Sequence, residues 1–144
     1  MPMTKITHSL SVASQLDRED IALIAAQGFG TIINNRPDNE EPGQLTAAEA
    51  RAEAKRVGLD YIHLPVVTGS ISRKDVTEFH RLVSGAARPV LAHCRSGTRC
   101  YLLWMAARAL IGHEAPQTLA AEAAEKGFDL RVLPSLVEKL SAEK

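Results

Sequence analysis

The chain has 144 residues, and its 17 lysines and arginines balance 17 aspartates and glutamates, so its formal net charge is zero. Apolar residues make up 45% and charged residues 24%, near the globular average, which excludes a disordered or fibrous chain and leaves a core that needs no disulfide staples. Balanced charge disfavours broad binding to nucleic acid or acidic lipid, although a small local positive pocket stays open.

The first eight residues, Met1 to His8, carry neither the apolar stretch nor the small-residue cleavage site of a secretory signal, and no apolar run is long enough to span a bilayer. A cytoplasmic protein with no membrane or nucleic-acid partner is expected. No repeat, low-complexity tract or linker divides the sequence, so residues 1–144 are expected to form one domain.

Leu10 to Ala13 reads as a short strand, and Asp17 opens a helix carrying Ile21 and Ile24 that Gly28 stops. Thr31 to Asn34 reads as a buried strand that empties into the charge-dense loop Asn35 to Gly43. Thr46 and Glu49 form a capping box for an alanine-rich helix running to about Val57, and Gly58 ends it. Tyr61 to Pro65 is expected as a second buried strand. Ser72 and Asp75 cap a helix carrying Val76, Phe79, Leu82 and Val83. Pro89 to His93 is the third clear strand, and Tyr101 to Ile111, apolar all round, is the helix expected at the domain centre. A helix from Pro116 to Gly127 and an amphipathic one from about Pro134 follow. This alternation predicts an α/β fold with a mainly parallel sheet flanked by helices.

Between the third strand and the central helix lies Cys94-Arg95-Ser96-Gly97-Thr98-Arg99. Ligands of open α/β sheets bind at the carboxyl ends of strands, and a helix N-terminus adds free amide donors and a partial positive charge. Gly97 lets the backbone curl into a nest, and Arg99 brings a permanent cation with a planar fork of donors. All of this favours thiolate over thiol at Cys94 and predicts a nucleophile above an anion-binding loop. Arg95 stands as either an anion attractor at the mouth or a solvated rim charge. Ser96 and Thr98 are loop hydrogen-bonders. His93 is expected to fix backbone geometry through a ring N–H, with lowering of the thiolate pKa as the alternative, and Cys100 to be a buried helix residue, with a weak thiol donor or a resolving thiol as alternatives. Arg36 and Asp38 follow a strand end and are candidate pocket residues, or else a self-satisfied turn, and Thr68 is a further possible pocket residue. The remaining histidines lack ligand spacing, so no metal or cofactor is expected, and Trp104 and Tyr101 are read as core.

His93-Cys94 with the following glycine and Arg99 resembles the signature loop of cysteine-dependent phosphatases, and Tyr61-Ile-His-Leu-Pro65-Val66 resembles the strand leading to their general acid. Together with Ile32 to Glu41, the chain over residues 5 to 112 resembles the phosphatase-like domain family of beta-lactamase-hydrolase-like proteins. The resemblance implies a dual-specificity or tyrosine-phosphatase-like fold. Two departures stand out. Four residues separate Cys94 from Arg99 where the phosphatase loop has five; the missing residue removes about 3.5 Å of contour and turns the arginine by about 100° around the helix axis. Thr68 stands where the phosphatase pattern puts its acidic proton donor. The six-residue loop also resembles that of rhodanese-type sulfurtransferases, whose persulfide needs less room and no strong acid.

The leading expectation is therefore a sulfurtransferase passing sulfane sulfur through a Cys94 persulfide, from a small anionic donor to a thiol acceptor. The alternative is a phosphatase acting on a phosphoester through a phosphocysteine, with Asp38, Glu40, Glu41 or Asp75 as substitute acids. The third reading is a noncatalytic anion sensor. Self-association is compatible with each.

Overall fold

The structure, a computed structural model, describes residues 2–143. Five strands, β1 (Met3–Lys5), β2 (Leu10–Ala13), β3 (Thr31–Asn34), β4 (Asp60–His63) and β5 (Val90–His93), form one sheet in the order β1-β2-β5-β3-β4. β1 pairs antiparallel at one edge and the other four strands are parallel. β2, β3 and β5 are buried along their whole length, as strands covered on both faces must be. β4 differs from the fully buried strand expected: it is the far edge, half-buried with Asp60 exposed, because no strand lies beyond it. β1 carries no apolar alternation in the sequence and owes its place to pairing with β2.

The helices are α1 (Arg18–Ala26), α2 (Ala47–Arg56), α3 (Arg73–Gly85), α4 (Thr98–Leu110), α5 (Pro116–Glu125) and α6 (Leu133–Ser141). Asp17, Thr46 and Ser72 each begin one with a complete capping box, and each box satisfies two amide donors that would otherwise be left without partners. One face of the sheet presents Ile32 and Leu91 to Ile21 and Ile24 of α1 and Ala50 and Ala54 of α2. The other presents Leu10, Val12, Ile33, Val90 and Ala92 to a layer built around α4. That helix buries eight residues and packs against α3, α5 and α6, which explains its apolar circumference. Tyr101, fully buried, meets Phe128 edge-on at 5.1 Å, and Trp104 stacks on His80.

The register places Ala13, His93, Asn34 and His63 in one row, so the four parallel strands end together. The residues after each strand therefore assemble at a common edge: Gln15 after β2, Cys94 after β5, Arg36 after β3 and Val66 after β4. Backbone bonds hold them there, from Asn35 N to His93 O (2.8 Å), Val66 N to Asn35 O (3.0 Å) and Gln15 N to Arg95 O (3.2 Å). No helix among the described residues is long and apolar enough to cross a membrane.

Leu103 lies fully buried in the middle of α4. Leu103→Ala is expected to lower the unfolding free energy by about 2–5 kcal/mol, measured by urea unfolding.

Candidate active site

Cys94 is the first residue past β5 and only 1% exposed. Its Sγ accepts the amide N–H of Gly97 at 3.1 Å. Gly97 caps α4 with φ +93°, a left-handed conformation that disfavours any side chain, and a Cβ there would stand 3.4 Å from Ala13 O and from the Phe128 ring. The turn thus bends the loop amides back over the sulfur. The Cys94 thiol is drawn down to about 5, first by a hydrogen bond from the Cys100 side chain and then, against the cost of burial, by the amides of Cys100, Ser96 and Arg99. Cys100, itself fully buried, is pushed well above the ordinary thiol range by burial and so keeps its proton for donation. Both sequence readings of Cys100, as core residue and as thiol donor, therefore describe it.

His93 is buried, and its Nδ1 lies 3.4 Å from the Cys94 carbonyl, in keeping with the expected backbone role. Burial drops it to about 4, so it is neutral beside the thiolate. Ser96 Oγ and Thr98 Oγ1 bond each other at 3.0 Å across the loop. Arg95 points outward, with Nη2 4.0 Å from Glu41 Oε2.

Arg99 lies within electrostatic reach of the sulfur despite the shorter loop, and the charge of Cys94 acts on its guanidinium. Other groups hold that guanidinium in place. Nη1 donates to Glu40 Oε2 (2.8 Å) and to the Val66 carbonyl (3.0 Å), and Nη2 donates to Glu40 Oε1 (2.7 Å). A guanidinium has five N–H donors. Three being spent this way, the two that remain are Nε–H and the second Nη2–H, which lie parallel on one edge of the plane.

Glu40 is shared. Its Oε1 also accepts Arg36 Nε at 2.8 Å, and Arg99 foremost, with Arg36, holds its carboxyl down at about 2. Arg36 is fully buried, with Nη1 on Gln15 Oε1 (3.0 Å) and Nη2 on Glu41 Oε1 (3.1 Å). Its own backbone is fixed by Asn34 Oδ1 on the amide and His63 Nε2 on the carbonyl, both at 2.8 Å. Arg36 thus acts through Glu40 and does not line an open pocket. Asp38 does not pair with it: Asp38 Oδ1 accepts the Ala47 amide at the start of α2. Thr68 opens the exposed 3-10 turn Thr68–Ser70, and Asp75 accepts the Ser72 amide within its capping box. The supports supplied by Gln15 and Val66 went unread in the sequence, since a carbonyl and a neutral amide carry no motif. A cavity of about 660 Å³ opens between Gln15–Glu19 and Glu41–Leu45.

Two measurements test this geometry. Thiolate ultraviolet absorbance should titrate near pH 5, a step lost in Cys94→Ser and moved upward in Cys100→Ala. Because the folded value lies below the unfolded one, the ionised sulfur contributes stability that is complete above the unfolded thiol's range and is lost as pH falls toward 5. Glu40→Gln, which keeps the shape but removes the charge holding Arg99, should weaken binding of vanadate, a phosphate-like oxyanion, by about 10- to 100-fold.

Residues 2–111 match the family described as beta-lactamase hydrolase-like protein, phosphatase-like domain. Beta-lactamase hydrolase-like proteins are 35% identical over 142 residues in Agrobacterium fabrum and 34% over 130 residues in Xylella fastidiosa; these alignments cover 99% and 90% of this chain but 33% and 30% of the relatives. The chain thus spans about a third of their length. A solved candidate phosphatase from Neisseria meningitidis is 35% identical with a TM-score of 0.83, over 95% of this chain and 96% of its own. Tk-PTP (17% identical, TM-score 0.77, 99% of this chain and 97% of its own) shares the fold. So does Pseudomonas aeruginosa TpbA, solved in complex with phosphotyrosine (15% identical, TM-score 0.65, 97% and 90%). The fold expected from the sequence is thereby found, and the chain belongs to the phosphatase-like domain family of beta-lactamase hydrolase-like proteins.

Proposed function

We propose that the chain is a cysteine-dependent phosphomonoester hydrolase, with Cys94 as nucleophile and Arg99 and the loop amides as oxyanion cradle. The observation that carries this reading is the uncommitted Nε/Nη2 edge of Arg99 beside an ionised sulfur. Two parallel N–H donors match two oxygens of a phosphoryl group. In the first step the sulfur attacks phosphorus, the ester P–O bond breaks, and Arg99 with the loop amides holds the equatorial charge. Water then attacks the phosphocysteine, and the S–P electron pair returns to the sulfur.

Sulfur transfer, the leading expectation from the sequence, is supported less well. It rested on a cradle too small for a phosphoryl group and on the missing acid at Thr68; Glu40 with the Val66 carbonyl bears on the first by holding Arg99 over the loop. A persulfide's single terminal sulfur would leave the bidentate edge half used. Family and fold neighbours also favour phosphoryl transfer. A noncatalytic sensor is supported less well, because an ionised sulfur in the cradle is what a covalent nucleophile needs and a sensor does not. The phosphotyrosine held by TpbA makes an aryl phosphomonoester the natural first substrate to assay.

Hydrolysis of para-nitrophenyl phosphate should fall by more than about 10³-fold in Cys94→Ser and by about 10- to 100-fold in Arg99→Lys, which keeps charge but loses the fork. Transfer of sulfur from thiosulfate to cyanide without phosphoester hydrolysis would reverse the assignment.

A further inference from the structure

A tyrosyl or alkyl oxygen leaving phosphorus ordinarily takes a proton from the enzyme as it goes. The carboxylates offered as substitute acids, and the histidines that end the strands, are already engaged. Glu40 is clamped between two arginines at 2.7 and 2.8 Å. Glu41 accepts Arg36 and faces Arg95, Asp38 accepts the amide that starts α2, and Asp75 lies in the cap of α3. His93 is buried and neutral. His63 Nε2–H donates to the Arg36 carbonyl at 2.8 Å. Thr68, where the phosphatase pattern has its acid, is a neutral alcohol on an exposed turn. At the mouth of the site Val67, next to the carbonyl that holds Arg99, is 54% exposed. That is a surface for a ring rather than for a charged or polyhydroxylated group.

Resting on the phosphatase reading, we infer that the Cys94 site supplies no proton to the leaving group and that its substrates are phosphoric esters and mixed anhydrides whose leaving group departs as a stable anion, aryl and acyl phosphates rather than alkyl phosphates. The balance is complete without an acid. Thiolate and R–O–PO₃²⁻ give the phosphocysteine and RO⁻, with the P–O pair leaving on oxygen. Water and the phosphocysteine then give H₂PO₄⁻ and the regenerated thiolate, and RO⁻ takes its proton from that product or from water.

The test is a series of aryl phosphates with leaving-group pKa values from about 5 to about 10, together with acetyl phosphate and glycerol phosphate, assayed with the whole chain at neutral pH. The expected result is a fall in kcat/KM of more than about 10²-fold along the aryl series, acetyl phosphate among the fastest and glycerol phosphate slowest, because a general acid is worth about 10²- to 10⁴-fold. Glu41→Gln, Asp38→Asn and His63→Gln should each lower the rate, if at all, by the same factor at both ends of the series. A flat series, glycerol phosphate hydrolysed as fast as aryl esters, or one variant losing activity selectively on poor leaving groups would each overturn the inference while leaving the phosphatase reading intact. Hydrolysis of none of the substrates would overturn both.

Discussion

The site depends on keeping a charged sulfur where water scarcely reaches it. Burial alone pushes a thiol up, yet Cys94, 1% exposed, is drawn down to about 5. The difference comes from donors: the Gly97 amide at 3.1 Å, the neighbouring loop amides and a thiol, Cys100, whose burial stops it from ionising in turn. Those donors converge because β5 is the middle strand and α4 is packed on all sides, so the turn between them is anchored at both ends. The apolar circumference of α4 is in this sense a requirement of the chemistry. A helix free to shift would carry its amide N-terminus away from the sulfur.

A second constraint ties the loops over this turn to one another. Arg36 is fully buried, and a buried cation is tolerated only when its donors are matched; Glu40, Glu41 and Gln15 match them. Since Glu40 also takes the end of Arg99, the segment after β3 positions the arginine at the start of α4. This explains how a loop with one residue fewer than the phosphatase pattern still presents its guanidinium to the sulfur. The arginine is brought there by its carboxylate partner and not by helix register alone. The same arrangement commits Glu40 as an anion, which removes it from the acids that protonate a leaving group.

Much of the fold was legible in the sequence because local chemistry and tertiary structure agree. Asp17, Thr46 and Ser72 announce helix starts with side chains that act within three residues, and the runs at Leu10, Thr31 and Val90 read as buried strands because they are covered on both faces. Where the reading failed, the cause was long-range. Met3–Lys5 becomes a strand only by pairing with β2, and the half-exposure of β4 follows from its place at the edge, which its own residues do not encode. In the site, Cys94, Gly97 and Arg99 were found from their junction of strand and helix. Arg36 and Asp38 were grouped because both follow the end of a strand, yet they serve different ends: one guanidinium turned inward, one carboxylate on the amide of Ala47. The bond from Glu40 to Arg99 spans 59 residues, and no spacing in the sequence signals it. That missing contact is why the short loop read as too tight for phosphate.

Trapping of the covalent intermediate decides most directly whether this thiolate is built for phosphoryl transfer. The chain would be quenched in acid during turnover of an aryl phosphate, and in parallel after exposure to thiosulfate, and the peptide containing Cys94 weighed in each. The account predicts a phosphoryl group on Cys94 in the first sample and an unmodified thiol in the second. A Cys94 peptide heavier by one sulfur atom, with no phosphoryl adduct, would contradict it.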